Sequence, residues 1–78
     1  MKKTGVICRD EEMLILERSS ILCVDYKNII GIFCDHPYLK IKILDRKDKY
    51  IYYTIEEISY LLPDFFILCN RSSIVNIH

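Results

Sequence analysis

The chain is poor in glycine and proline, with two of each in 78 residues. Two isolated glycines cannot build a glycine-rich phosphate loop, so that nucleotide-binding signature is excluded. Charge of one sign is also missing: eleven basic side chains meet eleven acidic ones, for a net charge of zero. A nucleic-acid binder usually carries a basic excess, so composition alone counts against DNA binding. No apolar run approaches the roughly 20 residues of a membrane-spanning helix. The longest, Ile29 to Cys34, is short and strand-like. Met1-Lys2-Lys3 is basic, but Arg9-Asp10-Glu11-Glu12 interrupts any signal-peptide core. The chain therefore reads as cytoplasmic, with no membrane partner. Cys-x-x-Cys, His-x-x-His and a Ser/His/Asp order are all absent, so no metal, cofactor or enzymatic activity is expected.

What is there is apolar. Hydrophobic residues make up 51% of the chain, ample for one small globular domain with a modest core and too many for disorder. Cys8, Cys23, Cys34 and Cys69 are irregularly spaced, each inside an apolar strand-like run. They are expected to be reduced core thiols that act as small hydrophobes.

Most of the sequence has a period of two. Gly5 to Cys8, Met13 to Leu16, Ile21 to Val24 and Ile29 to Cys34 are strand candidates separated by polar breaks. Asp35-His36-Pro37 reads as a turn, because proline disfavours a helical residue before it. In Tyr38 to Ile43 the apolar Leu39, Ile41 and Ile43 share one face, and Tyr38, Lys40 and Lys42 share the other. Asp45 to Asp48 is a charged turn, and Lys49 to Tyr53 returns as an antiparallel partner.

One helix is marked. Thr54-Ile55-Glu56-Glu57 fits a capping box, with Tyr53 and Ile58 at the hydrophobic-staple positions. Ile55, Ile58, Leu61 and Leu62 form its apolar stripe, and Pro63 ends it after about two turns. A helix this short must dock on a sheet. Phe65 to Cys69 then reads as a buried strand and Ser73 to Ile77 as a last one. The fold class is mainly β (α+β): small antiparallel sheets with one short capped helix.

Two places offer chemistry. Asn70-Arg71-Ser72 sets three hydrogen-bonding side chains between two apolar strands. Arginine presents a planar fork that fits guanine N7 and O6 or a phosphate. On spacing alone this is an ordinary turn. The other place is the Asp35 to Tyr38 turn, followed by Lys40 and Lys42 on one strand face; its plain reading is a solvated face with an amphipathic tyrosine. Tyr50, Tyr52 and Tyr53 beside Lys47 and Lys49 have the composition of an aromatic, basic nucleic-acid platform, although cross-strand packing explains them as simply. Glu56 and Glu57, adjacent on a helix, diverge and serve as cap and dipole partners.

The stretch Phe66-Ile67-Leu68-Cys69-Asn70-Arg71-Ser72-Ser73-Ile74-Val75-Asn76 resembles the signature of the LytTR family of bacterial DNA-binding domains. Phe66, Arg71, Ser72, Ile74, Val75 and Asn76 stand at matching positions. Asn70 replaces the family's histidine, Ser73 its aromatic residue and Leu68 an arginine. The resemblance runs from about Met13 to Asn76. It implies an output domain of a bacterial transcription regulator that reads double-stranded DNA through loops in the major groove. It places Arg71, and Tyr38 of the neighbouring loop, at the DNA. Asn70 and Ser72 flank Arg71, asparagine being able to pair with adenine, and Lys40 and Lys42 project from the face of Tyr38, where they could meet phosphates. In the family the chain continues into a further hairpin, so residues 1–78 are expected to form a single domain that is incomplete at its C-terminus. The terminal strand would then be an open edge able to pair with a second copy. The alternative is a small β interaction module without DNA binding.

Overall fold

The computed structural model describes residues 5–77. Met1, Lys2 and Lys3, and the terminal His78, lie outside the described residues. Eight strands and one α-helix follow in chain order: β1 (Gly5–Cys8), β2 (Glu12–Leu16), β3 (Ile21–Asp25), β4 (Ile29–Asp35), β5 (Tyr38–Ile43), β6 (Lys49–Ile51), α1 (Ile55–Leu61), β7 (Phe66–Asn70) and β8 (Ser73–Asn76). A single 3-10 turn, Tyr26–Asn28, joins β3 to β4. The fold is mainly β, as the alternating pattern predicts. No described helix is long and apolar enough to cross a membrane.

The strands form two antiparallel sheets. One has the order β1-β2-β3; the other has the order β6-β5-β4-β8-β7. A single apolar cluster joins them. Met13, Ile15 and Val24 come from the first sheet, Ile32, Leu39, Ile41, Ile51 and Ile74 from the second, and Ile55 and Ile58 from α1. The period-two reading of β5 holds residue by residue: Leu39, Ile41 and Ile43 are buried while Tyr38 and Lys42 are exposed. In β4 a register shift between Ile29 and Gly31 turns Ile30 outward. A Cβ on Gly31 would lie 2.8 Å from the carbonyl oxygen of Ile74 and 2.9 Å from the Phe33 ring. Glycine there permits the close approach of β8 and lets the Phe33 ring lie over the backbone.

The helix begins as its sequence dictates. Thr54 Oγ1 accepts a hydrogen bond from the Glu57 N–H at 3.0 Å, and Glu57 Oε1 accepts one from the Thr54 N–H at 2.9 Å. Both halves of the capping box are thus present. Ile55 and Ile58 are buried and Leu62 packs against the core, but Leu61 is exposed. At about 3.6 residues per turn, Ile55, Ile58 and Leu62 share one face and Leu61 falls to its side. β6 is likewise shorter than its apolar run: Tyr52 and Tyr53 leave the ladder to lead into α1, and the Tyr53 hydroxyl accepts a bond from the Val6 N–H at 3.1 Å.

Three expectations need correction. The cysteines are not a set of core thiols: Cys23, Cys34 and Cys69 are exposed and only Cys8 is partly buried. Cys23 falls on the outward parity of β3, beside buried Val24, whereas Cys34 and Cys69 sit near strand ends that nothing covers. Second, β7 is not a buried strand. Only Phe66 is buried, because β7 is the last strand of its sheet. Third, β8 is not an open edge. It pairs with β4 on one side and β7 on the other, so the free edges of the larger sheet are β7 and β6.

Candidate nucleic-acid interface

Two tight turns meet at one end of the larger sheet. The β4–β5 turn carries His36 and Pro37 between the paired Asp35 and Tyr38; the His36–Pro37 peptide is cis. The β7–β8 turn carries Arg71 and Ser72 between the paired Asn70 and Ser73. Phe33 of β4 pairs with Ser73 of β8, and the Cys34 N–H donates to the Ser72 carbonyl at 2.8 Å. The two turns therefore lie side by side.

The Arg71 turn is built from within. Asn70 Oδ1 accepts hydrogen bonds from the Ser72 N–H at 2.9 Å, from Ser72 Oγ at 3.1 Å and from Ser73 Oγ at 3.1 Å. Asparagine serves well here because its short side chain can replace a backbone acceptor two residues on. With Oδ1 so engaged, Asn70 shapes the turn, and its amide NH2 remains the group available to a ligand. Arg71 is exposed and makes no ion pair among the described residues. Its guanidinium is thus a fork of donors at the tip of a rigid hairpin.

Arg71 and Tyr38 line the same open concavity of about 820 Å³, together with His36, Cys34 and Leu68. Glu56 and Glu57 from α1 line it as well. Those carboxylates disfavour a phosphate within the concavity.

Lys40 and Lys42 lie along the outward face of β5. Lys40 pairs with Phe33 on one side and Tyr50 on the other. Lys42 sits opposite Gly31, and its Nζ is 3.9 Å from an Asp48 carboxylate oxygen. An exposed pair at that distance contributes little and leaves the lysine free to re-pair. Tyr38 rests against Tyr52, with ring centroids 5.8 Å apart. The structure thus brings Arg71, Asn70 and Ser72 onto one turn with Tyr38 beside it. Lys42 lies roughly 13 Å from Tyr38 along the strand, at about 3.3 Å per residue. Sequence reading missed Tyr52 as a neighbour of Tyr38, and His36 and Leu68 as neighbours of Arg71. Counting back through the β5–β6 ladder would have found Tyr52, and Leu68 lies three residues before Arg71; His36 depends on β4 and β7 being brought together by β8.

Against known proteins, the sequence pattern described as the LytTr DNA-binding domain matches residues 19–78. A solved LytTr DNA-binding domain from Bacillus cereus is similar in structure, with a TM-score of 0.70 at 23% sequence identity. That likeness covers 88% of this chain and 63% of the solved one, so the chain spans less than two thirds of that domain's length. No curated protein matches. The family pattern takes in β3 through β8, including both turns described above, and the chain belongs to the LytTr DNA-binding domain family.

Proposed function

We propose that this chain is the sequence-specific DNA-reading part of a bacterial transcription regulator, with the paired turns at one end of the larger sheet facing the major groove. The observation that carries this reading is Arg71: an exposed guanidinium, with no ion pair among the described residues, on a hairpin tip braced by three hydrogen bonds to Asn70. A bidentate arginine is the commonest specific contact to guanine. Ser72 and the NH2 of Asn70 flank it, and Tyr38 approaches from the neighbouring turn. Lys40 and Lys42 supply phosphate contacts. With a net charge of zero, affinity would rest on few phosphates and show a shallow salt dependence. Selection from a pool of random duplexes tests the reading. Enrichment of a common sequence supports it; a pool that stays random after repeated rounds contradicts it.

A second reading accompanies this one. β7 is an edge strand that exposes Ile67 and Leu68, 41% and 51% accessible, on its two faces. Such an edge invites a further strand. We propose self-association through β7, edge to edge, which would also set two DNA-reading turns at a fixed separation.

A further inference from the structure

The outward face of the larger sheet carries two tyrosines, Tyr50 and Tyr52, that reading a duplex with turn tips does not use. Register places Tyr50 of β6 opposite Lys40 of β5, and Lys40 opposite Phe33 of β4. Tyr52 lies two residues beyond Tyr50, with its ring against Tyr38 at 5.8 Å. Tyr38, Tyr50 and Tyr52 are 46%, 46% and 42% accessible, which is high for rings in or beside the strands of a sheet. The apolar core occupies the other face, and α1 borders Tyr38 and Tyr52 only across an open concavity. Two cations stand among them. Lys40 makes no ion pair among the described residues, and Lys42 has only the long, exposed contact with Asp48.

Rings that sit two residues apart on one strand are roughly 6.7 Å apart. Rings on neighbouring strands are about 5 Å apart. A ligand that fits such a face offers flat π-surfaces at short intervals along a flexible anionic backbone. A duplex does not, because its bases are stacked on one another inside the helix. We propose that the outward face of β4, β5 and β6 binds single-stranded nucleic acid, with bases stacking on Tyr50, Tyr52 and Tyr38 and the backbone passing Lys40 and Lys42. Stacking on aromatic side chains with a few cations tracking the backbone is the physical basis of sequence-tolerant single-strand binding.

The test uses the full chain and a labelled oligothymidylate of about a dozen nucleotides, within the usual site size of such surfaces. Binding is read by anisotropy and by quenching of tyrosine fluorescence at two salt concentrations. The wild type is expected to bind. Tyr50→Ala and Tyr52→Ala should each weaken binding by about 5- to 100-fold, the equivalent of one lost stack. Tyr50→Phe and Tyr52→Phe, which keep the rings, should retain it. Ile21→Ala, at a 62% accessible side chain on β3 of the smaller sheet, should change nothing. Lys40→Ala should reduce the salt slope by about 0.7, the value for one phosphate of a single strand. The variants are also titrated with a selected duplex, and their thermal midpoints are checked against the wild type. Loss of oligothymidylate binding by Tyr50→Ala or Tyr52→Ala, with duplex binding and midpoint unchanged for those two variants, supports the proposal. Four results would overturn it: no wild-type binding at low salt, Ala variants that bind as the wild type does, equal loss for the Phe variants, or a concentration-dependent dimer that the Tyr50→Ala/Tyr52→Ala variant abolishes. The duplex arm is independent of these results, so the fate of the duplex-reading proposal is scored separately.

Discussion

The side chain of Asn76 fastens the backbone of Tyr26, fifty residues earlier. Its Nδ2 donates to the Tyr26 carbonyl at 2.7 Å and to the Ile29 carbonyl at 2.9 Å. Tyr26 is itself held at both ends. Its hydroxyl donates to the Arg9 carbonyl at 2.7 Å, and its ring meets Phe65 and Phe66 edge-on at 5.8 and 5.5 Å. Asn76, the last residue of the signature at the chain's end, therefore acts as a structural staple between the 3-10 turn and β8. Asn76→Ala leaves two partly buried carbonyls without this donor and should cost about 1–2 kcal/mol. Asn76→Asp sets acceptor against acceptor and should cost about 3 kcal/mol or more. Urea denaturation midpoints check the order, Asp below Ala below wild type; equal midpoints would remove the staple from the account.

The capping box makes a smaller, separate contribution. Thr54→Ala removes the acceptor of the Glu57 N–H and should cost about 1 kcal/mol. For a domain of this size that is a fall in Tm of about 4–8 °C. An unchanged Tm would mean that the two hydrogen bonds add nothing beyond docking of Ile55 and Ile58.

The thiols should divide three to one. Cys23, Cys34 and Cys69 are exposed and should react promptly with a thiol reagent, with Cys8 following only on unfolding. Burial pushes the Cys8 thiol above its ordinary value, partly offset by its hydrogen bond with Tyr26. Burial likewise pushes the Tyr26 hydroxyl well up, helped by neighbouring Cys8. Both groups stay protonated in the folded chain at a pH where the unfolded chain has begun to lose its protons. The unfolded state then binds fewer protons, so stability falls as pH rises above the ordinary thiol range of about 8.5. Denaturation midpoints measured from neutral to strongly alkaline pH should decline; a flat profile, or equal labelling of all four cysteines, would contradict this placement.

Strand existence was legible because half-buried strands announce themselves by alternation, as Leu39, Ile41 and Ile43 do. The helix start was legible because Thr54 and Glu57 interact within one turn. Neighbourhood across the sheet was not. Nothing local to Ser73–Asn76 says that it inserts between β4 and β7, and that insertion decides which strand is the edge. The cysteines misled because an apolar run does not reveal which of its residues faces out, and Cys23 differs from Val24 only by one step of register. Within the candidate site the residues of each turn were legible from their own composition. Their juxtaposition was not, since it depends on the pairing of Phe33 with Ser73 across 40 positions of sequence.

If β7 is a self-association edge, a charge on it should block pairing. Ile67→Lys and Leu68→Lys should each shift the protein towards monomer in light scattering over a range of concentrations, with the fold intact because both side chains are exposed. A wild type that is monomeric throughout would remove the edge-pairing reading.

The proposed DNA reading turns on Arg71 meeting a base edge. The most direct measurement is a titration of wild type, Arg71→Ala and the Lys40→Ala/Lys42→Ala variant against a selected duplex and a scrambled one at two salt concentrations. Arg71→Ala should lose about 1–3 kcal/mol of discrimination between the duplexes and little affinity for the scrambled one. The double lysine variant should bind both more weakly and reduce the salt slope by about one per phosphate contact. Equal loss on both duplexes for Arg71→Ala would contradict the claim and leave Arg71 as one more phosphate contact.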